Sequence, residues 1–325
     1  LNTVLNNINL KINKNDFIGI KGKSGSVKTT LVNLLIGLLK PSKGQLVMNN
    51  NEIKNSNFKI TPFKIGYVTQ DVFLLNKPKI LLFIYLKMKL KKTELKEFLD
   101  QKVQQYNTLD FIGTDPIQIP HHFKEKEDIE ISGFLIATIA WGNRKSIITN
   151  GERLLNIMGN SPFDFVLNYT SNHRKYTKGF VHRTFNEDDL HTFFLALSNI
   201  YKHHQGLEAV FSKNRTNHSM QPAIHGFKKV FFEISHLSRT QKHVSDPLKN
   251  SAAKRINMFL RWMVRQDNTG VDFGIWNTIS PAILSCPLDV HSAAIARKLG
   301  ILTRKQNDGK ALQELDKALR KMDPI

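Results

Sequence analysis

A short glycine-containing segment near the start of the chain has the side chains for phosphate binding. It reads GKSGSVKTT over residues 22–30, after a short apolar stretch at 17–20 and before a helix predicted from about Thr29 to Leu39. Strand, loop and helix in this order are typical of a P-loop, whose backbone N–H groups point at phosphate oxygens. Lys28 would reach the outer phosphates, and the Thr29 hydroxyl would ligate Mg²⁺. The loop residues predicted to contact a nucleotide are Gly22, Ser24, Gly25, Ser26, Lys28, Thr29 and Thr30.

One position of this segment departs from the P-loop pattern. The pattern has glycine immediately before the lysine, whereas this chain has Val27. Glycine lets the backbone approach the phosphates and adopt torsions that are closed to most residues. Valine is branched at Cβ and adds bulk at the same place. We therefore expect the loop to bind nucleotide poorly or not at all.

The first 76 residues resemble the ATPase domain of ABC transporters. The segments that carry the resemblance are VLNNINLKI, IGIKGKSGSVKTTL, GLLKPSKGQL and IGYVTQDVFLLN, in that order. The resemblance implies ATP and Mg²⁺ as ligands, Gln70 as a further nucleotide-site residue and Mg²⁺ contact, and coupling to a membrane subunit. After Asn76 there is no LSGGQ-like signature, no apolar strand ending in an Asp-Glu pair and no switch histidine. ATP hydrolysis is not expected, and a P-loop remnant without nucleotide is favoured over a segment that binds ATP.

A lysine and an aspartate in the second part of the chain form the other chemical pair. Lys254 lies in a helix predicted over 252–265, and Asp289 directly precedes a helix predicted over 290–299. A deprotonated lysine can attack a sugar C1′ and form a Schiff base, and an aspartate can stabilise the positive charge that develops and help proton transfer. Such a lysine should lie in a desolvated pocket. The structural alternative is that Asp289 only caps its helix and Lys254 is only solvated.

Residues 88–325 resemble an uncharacterised bacterial family, the domain of unknown function 2400. The segments that carry the resemblance are DPIQIPH at 115–121, ATIAWGNR at 137–144, 254–265, GVDFGIW at 270–276 and 287–300. The last of these is also similar to the aspartate-bearing helix of the helix-hairpin-helix DNA glycosylases. This distant relation implies a base-excision glycosylase/lyase that uses Lys254 as nucleophile and Asp289 as its partner, with DNA as substrate and no required cofactor.

The predicted DNA contacts are the basic side chains expected around that pair, namely Arg144, Lys145, Arg255 and Arg261. The glycosylases carry an LPGVG-type hairpin that holds a DNA phosphate, and the stretch we compared with it has Asn268-Thr269-Gly270 instead. Arg261 and Arg265 have a second interpretation, pairing with Asp267 and Asp272. A non-catalytic nucleic-acid-binding module and an incomplete ATP-binding transport component therefore remain as alternatives.

Composition separates the two parts of the chain. The protein has 325 residues with 47 Lys or Arg against 27 Asp or Glu, a net charge of +20, which favours polyanionic partners. Residues 1–87 hold 13 Lys but no Arg and no His. We predict a partial α/β P-loop fragment at 1–76, a junction at 77–87, and a larger all-α, helix-hairpin-helix-glycosylase-like domain at 88–325 that is truncated at its C-terminus. Buried helices are expected at 129–140 and amphipathic ones at 190–201 and 224–236.

The remaining sequence features concern disulfides, metal ligands, membrane insertion and location. The one cysteine excludes an internal disulfide, and the histidine pairs lack a metal-ligand spacing. No apolar stretch approaches the roughly 20 residues of a membrane span, so no membrane insertion is expected. With no signal peptide in view, a cytoplasmic location is the simplest expectation. The pattern gives no oligomeric state.

Overall fold

A computed structural model describes residues 5–12, 28–35, 41–45, 47–48, 51–52 and 92–323. The chain divides into two compact units, Leu1–Lys79 and Ile80–Ile325. In the first unit, helix α1 spans Lys28–Leu35, and strands β1 (Val47–Met48) and β2 (Asn51–Glu52) pair antiparallel. The predicted strand at 17–20 and residues 22–27 of the loop lie outside the described residues, as does Gln70.

The second unit is built from helices joined by short 3-10 turns. Its helices are α2 (Lys92–Tyr106), α3 (Lys126–Ile139), α4 (Arg144–Ile157), α5 (Pro162–Asn168), α6 (Glu187–His203), α7 (Gly206–Lys213), α8 (Gln221–Phe231), α9 (Lys254–Val264), α10 (Val290–Lys298) and α11 (Gly309–Arg320). A two-residue hairpin, β3 (Val181–His182) with β4 (Phe185–Asn186), is its sheet component among the described residues. The predicted helical character of this part is therefore confirmed.

Helix α3 forms the centre of the large hydrophobic core. Every residue from Ile129 to Ile139 is buried, as the apolar sequence predicted. Helix α9 packs directly on α3, and a Cβ on Gly133 would lie 3.3 Å from the Met263 side chain. Glycine at 133 thus lets the two helices approach closely. Because α9 begins at Lys254, this contact fixes the helix that carries the predicted nucleophile.

Helix α4 makes a similar close approach at Gly151. A Cβ there would lie 2.7 Å from Ile136 Cδ1 and 2.8 Å from Ile119 Cγ1, both on buried side chains. We expect Gly151→Ala to lower the free energy of unfolding by about 1–2 kcal/mol, because overpacking outweighs the gain in helix propensity. Urea denaturation followed by tryptophan fluorescence measures this change. Gly113→Ala is the matched control, since nothing lies within 4 Å of its Cβ position, and an equal loss there would contradict the packing argument.

A second, smaller hydrophobic core lies beside the large one. It contains Leu288, residues of α10 and residues of α11, together with Ala252 from the turn before α9. Helix α9 itself belongs to the large core through Ile256 and Phe259. The chain around Lys254 therefore runs along the seam between the two cores.

The largest difference between the predicted and observed helix boundaries is at the end of α8. Helix α8 ends at Phe231, although the sequence pattern extended to His236. The residues after it have other partners: Glu233 accepts hydrogen bonds from His204 and Asn199, and His236 Nδ1 lies 2.7 Å from the carbonyl of Ile234. These tertiary contacts replace another turn of helix. Among the described residues, none of the helices is both long and apolar enough to cross a membrane.

Candidate functional site

The structure brings Lys254 and Asp289 together at the seam between the two cores. Lys254 Nζ lies 3.8 Å from Asp289 Oδ2. The two side chains are 33% and 35% exposed, so both are accessible without being fully solvated. The desolvated pocket expected for the lysine is therefore only partial. The pair joins the first residue of α9 to the residue that precedes α10.

Asp289 is held in place by the helix that it caps. Its carboxylate accepts the backbone N–H groups of His291 and Ser292, both at 2.9 Å, and the Ser292 hydroxyl accepts the backbone N–H of Asp289 at 2.8 Å. This reciprocal capping box confirms the predicted N-cap. Because the cap hydrogen bonds use Oδ1, the other oxygen, Oδ2, is the one that faces Lys254.

Lys254 is aimed by an unusual turn. Two non-glycine residues just before it adopt left-handed backbone conformations, Asn250 at φ 61° and Ala253 at φ 43°. Such a conformation costs alanine roughly 1–2 kcal/mol, so the surrounding structure must enforce it. Ala253 is buried, and its N–H donates to the Ser251 hydroxyl at 3.1 Å. The turn sets the direction in which α9 starts.

Helix α11 braces both halves of the site. At its start, Asn250 accepts the N–H of Gly309 at 2.9 Å and that of Lys310 at 3.1 Å, which anchors the turn before Lys254. Further along, the buried carboxylate of Asp316 accepts the N–H of Cys286 at 3.1 Å, which anchors the loop that leads to Asp289. This brace is not predictable from the sequence, because nothing in the spacing of these residues indicates that they meet.

Electrostatics keep Asp289 ionised. Burial by itself would raise its pKa, but the Ser292 N–H, the Lys254 ammonium and the His291 N–H outweigh burial and hold the pKa below its usual range. At neutral pH the residue is thus a fixed negative charge beside Lys254. This suits the stabilisation of a cation better than the donation of a proton.

Two further titratable groups share the electrostatic environment of the pair. Burial raises the pKa of Asp115, against the N–H of Ile117 and the charges of Arg144, Arg261 and Lys254. Burial also raises the pKa of Cys286 to about 11, which keeps its thiol neutral and a poor nucleophile. Asp115 lies in a segment that carries the family resemblance, but nothing in the local sequence pattern indicates that it comes near Lys254.

Two of the four predicted DNA contacts, Arg144 and Lys145, are exposed, and both lie at the first turn of α4. Arg144 is 59% exposed, with Nη2 at 3.8 Å from Asp115 Oδ2, and Lys145 is also exposed. Arg183, at the tip of the β3–β4 hairpin, lies beside them: a Cβ on Gly142 would be only 2.7 Å from Arg183 Nη1. Gly142 has φ 101°, a conformation that favours glycine. Arg183 was not among the predicted contacts, since the hairpin that carries it has no strong sequence signal.

The other two predicted DNA contacts are engaged within the protein. Arg261 forms a bidentate ion pair with Asp272, at 2.9 and 3.1 Å, as its second interpretation predicted. Arg255 donates to the carbonyls of Thr138 and His243, and its guanidinium lies 4.6 Å from the centre of the Trp141 ring. Arg255 therefore does not belong with the exposed basic side chains Arg144, Lys145 and Arg183.

In the loop after α9, the backbone amides already bind a carboxylate of the protein, that of Asp267. The Asp267 carboxylate accepts the N–H groups of Thr269, Val271 and Asp272, at 3.1 to 3.3 Å. Burial would raise the pKa of Asp267, but hydrogen bonds from the Asn107 and Thr269 side chains and from the Asp272 and Val271 N–H groups outweigh burial and hold the pKa far below its usual range. Backbone amides that are used in this way do not offer a DNA phosphate a place, in line with the missing hairpin motif.

The remaining predicted site residues are those of the N-terminal P-loop segment, and the structure describes only some of them. Lys28, Thr29 and Thr30 form the first turn of α1, which starts where the P-loop pattern requires a helix, whereas residues 22–27 and Gln70 lie outside the described part. Trp262 and Trp276, the tryptophans nearest in the sequence to the loop after α9, are buried in the core. Within the residues that the structure describes, no three His, Cys, Asp or Glu side chains form a group able to hold a metal ion.

These observations define a class of protein: a helical domain with an accessible Lys–Asp pair between two cores, preceded by a segment with a P-loop motif. Residues 115–325, more than half of the chain, match the family described as "Protein of unknown function (DUF2400)", and the chain belongs to this family. Residues 5–119 match the family described as "ABC transporter". The N-terminal resemblance is thereby confirmed.

Relatives of the N-terminal segment are ATP-binding proteins. The chain is 42% identical over 76 residues to the alpha-hemolysin translocation ATP-binding protein HlyB of Escherichia coli O157:H7, covering 23% of this chain and 11% of that protein. It is 45% identical over 67 residues to the ergothioneine transport ATP-binding protein EgtV of Helicobacter pylori, covering 21% and 30%. It is 31% identical over 134 residues to a putative ABC transporter ATP-binding protein of Archaeoglobus fulgidus, covering 40% and 55%.

The chain thus spans between about a tenth and about half of the length of these relatives. No solved structure matches the chain. The family description assigns no activity to residues 115–325, so the similarity to helix-hairpin-helix glycosylases stays a prediction.

Proposed function

We propose that the helical domain is a DNA base-excision glycosylase/lyase that acts through a Schiff base on Lys254. The observation that carries this proposal is the 3.8 Å approach of Lys254 Nζ to Asp289 Oδ2 between two separate cores. A seam between cores is a common place for a binding site, because both walls are rigid and neither has to unfold to admit a ligand.

Each residue has a defined part in this chemistry. Lys254, after losing a proton to solvent, attacks the sugar C1′, and the bond from C1′ to the base breaks with its electron pair going to the base nitrogen. The base takes up a proton from solvent. The ring C1′–O4′ bond then opens with its electron pair going to O4′. Of the two protons on the attacking nitrogen, one goes to O4′ and one to solvent, which leaves an imine on Lys254 and a hydroxyl on the sugar. Asp289, ionised and fixed by its cap, stabilises the positive charge that C1′ and O4′ carry in the transition state.

The charge distribution supports a nucleic acid as substrate. The net charge of +20 favours a polyanion, and Arg144, Lys145 and Arg183 form an exposed basic rim near Asp115. Asp115 in turn lies within the electrostatic influence of Lys254. A phosphate backbone bound along this rim would therefore lie near the pair.

Borohydride trapping tests the proposal. The full chain is incubated with duplexes that contain an abasic site or an oxidised guanine, in the presence of borohydride, which reduces an imine to a stable amine. A covalent protein–DNA band is the expected result. Absence of the band on every substrate, with DNA binding intact, would reject the lyase and favour the second candidate.

That second candidate is a non-catalytic nucleic-acid-binding module. It is favoured by one feature of the same pair: Lys254 Nζ lies 3.8 Å from Asp289 Oδ2, at ion-pair distance, and an ammonium engaged in an ion pair has no free electron pair for attack. Such a module would bind DNA in a salt-sensitive way without a covalent intermediate.

Both candidates predict the same effect of reversing charge on the rim. Arg144→Glu with Lys145→Glu should weaken binding to an undamaged duplex by roughly 10-fold or more at low salt, and should reduce the slope of log affinity against log salt by about 2. Fluorescence anisotropy at several salt concentrations measures both values. Lys317→Glu with Lys321→Glu, two exposed positions at the C-terminal end of α11, is the control with the same change in charge, and an equal loss in that variant would show that only net charge matters.

For the N-terminal segment, we propose that Val27 prevents productive nucleotide binding. A titration of the full chain with a fluorescent ATP analogue should give no saturation up to about 1 mM, whereas Val27→Gly should bind more tightly by roughly 10-fold or more, because glycine restores the approach of the backbone to the phosphates. Lys28→Ala in the Val27→Gly background should remove the gain. Equal binding by the wild type and Val27→Gly would contradict this role of Val27 and would favour an ATP-binding transport component.

A further inference from the structure

A cavity of about 780 Å³ lies between the end of α6, helix α7 and helix α8. Neither Lys254 nor Asp289 lines this cavity. Its volume falls within the range of ordinary small-molecule sites. Apolar side chains form part of the wall, and Leu248, from the turn that precedes α9, closes one side.

The polar part of the wall is basic. None of the described residues that line the cavity is acidic. The lining residues that can carry positive charge are His203, His204, Lys213, His225 and Lys229. Lys213 and Lys229 come from the two different helices α7 and α8, so their ammonium groups can approach one ligand from two sides.

Two of these histidines are each fixed by a carboxylate behind them. His204 Nε2 lies 2.6 Å from Glu233 Oε1, and His225 Nδ1 lies 3.0 Å from Asp246 Oδ1. In each case the bond to the carboxylate uses one ring nitrogen and leaves the other for a ligand. Carboxylate–histidine pairs of this kind fix the orientation of the ring. Neither Glu233 nor Asp246 lines the cavity, so neither carboxylate would contact a ligand there.

The third polar group of the cavity wall is the neutral amide of Asn214, whose position depends on Gly226. Asn214, which follows α7, lies so close to α8 that a Cβ on Gly226 would be 2.4 Å from Asn214 Nδ2. Both residues line the cavity. The missing side chain at 226 therefore lets the Asn214 amide lie against α8 and present its donors at the wall. Lysine, histidine and amide donors together match the oxygen-rich surface of a phosphate group.

We propose that this cavity binds a phosphate group, carried either by a small phosphorylated molecule or by the backbone of a nucleic acid. The inference does not depend on catalysis by Lys254. It assigns the basic lining to recognition of a phosphoester, with Lys213 and Lys229 as its charged contacts and the two fixed histidines as directional donors.

Isothermal titration calorimetry on the full chain tests the site with three probes: inorganic phosphate, adenosine monophosphate and adenosine. Phosphate and the monophosphate should bind and adenosine should not. Lys213→Ala with Lys229→Ala should weaken binding by roughly 10-fold or more, whereas Lys202→Ala, an exposed lysine of α6 outside the lining, should not change it. Gly226→Ala should also weaken binding through Asn214 without any change of charge.

A short duplex without terminal phosphates distinguishes the two sources. If the duplex competes with inorganic phosphate and loses affinity in the double lysine variant, the backbone occupies the cavity. If inorganic phosphate and the monophosphate bind while the duplex is unaffected by the variant, a small phosphorylated molecule is the ligand. If adenosine binds as well as its monophosphate, or if none of the phosphate probes nor the duplex responds to the variants, the proposal is wrong.

Discussion

Replacing Lys254 with arginine should abolish borohydride-dependent capture of an abasic duplex, a loss on the order of 1000-fold or more in trapping rate. Arginine keeps a positive charge beside Asp289, but its guanidinium is protonated at any accessible pH and forms no imine. Binding to an undamaged duplex should therefore remain within about 3-fold of the wild type. The measurement is a gel time course of the covalent band, with anisotropy for binding.

Two companion variants make this result specific. Asp289→Asn should slow trapping by roughly 100-fold or more, because the charge that stabilises the cation is lost, while asparagine still caps α10 and keeps the fold. Lys298→Ala, an exposed lysine at the end of the same helix, should trap like the wild type. A band that survives Lys254→Arg would mean that another amine is the nucleophile, and the proposed role of Lys254 would be wrong.

Replacing Glu130 with glutamine should remove a large part of the pH dependence of stability. Glu130 is 2% exposed, and its two oxygens accept hydrogen bonds from Trp276 Nε1 and Tyr201 Oη, both at 2.6 Å. Burial raises its pKa to about 7, although these two hydrogen bonds and Lys126 act in the opposite direction. The folded protein thus holds a proton on Glu130 in a pH range where the unfolded chain has released it.

The sign of the effect follows from that difference. The stabilisation is complete below the ordinary pKa of 4.5 and is lost as the pH rises through about 7. The loss amounts to about 3 kcal/mol, because each pH unit between the two values corresponds to about 1.4 kcal/mol. Glutamine stays neutral throughout, so Glu130→Gln should not show this loss. Between pH 4.5 and pH 8, its free energy of unfolding should therefore rise by about 3 kcal/mol relative to that of the wild type.

Urea denaturation between pH 4.5 and pH 8 measures this relative gain. All three tryptophans, Trp141, Trp262 and Trp276, lie in the helical unit, so their fluorescence reports its unfolding directly. Glu125→Gln, an exposed glutamate at the start of α3, should follow the wild-type profile. A Glu130→Gln profile parallel to that of the wild type would show that Glu130 titrates alike in the folded and unfolded states.

Local sequence was enough for features that depend on neighbours along the chain. Asp289 could be assigned as a cap because a proline–leucine–aspartate stretch precedes a helical pattern, and capping needs only backbone groups within three residues. The burial of α3 followed from a run of apolar residues on every side. The ABC-like segment was recognisable because several short motifs recur in order. Each of these inferences uses contacts within one element or its immediate flanks.

Only the tertiary structure decided which distant groups meet. Lys254 and Asp289 come within 3.8 Å because α11 ties both of their loops to one helix, a relation that spacing does not encode. Arg255 follows Lys254 directly, yet one residue turns a helix by about 100°, which directs its guanidinium to Trp141 and away from the exposed rim. The sequence determined the types of the reactive groups and their local caps, whereas packing between the two cores decided which of them form a site.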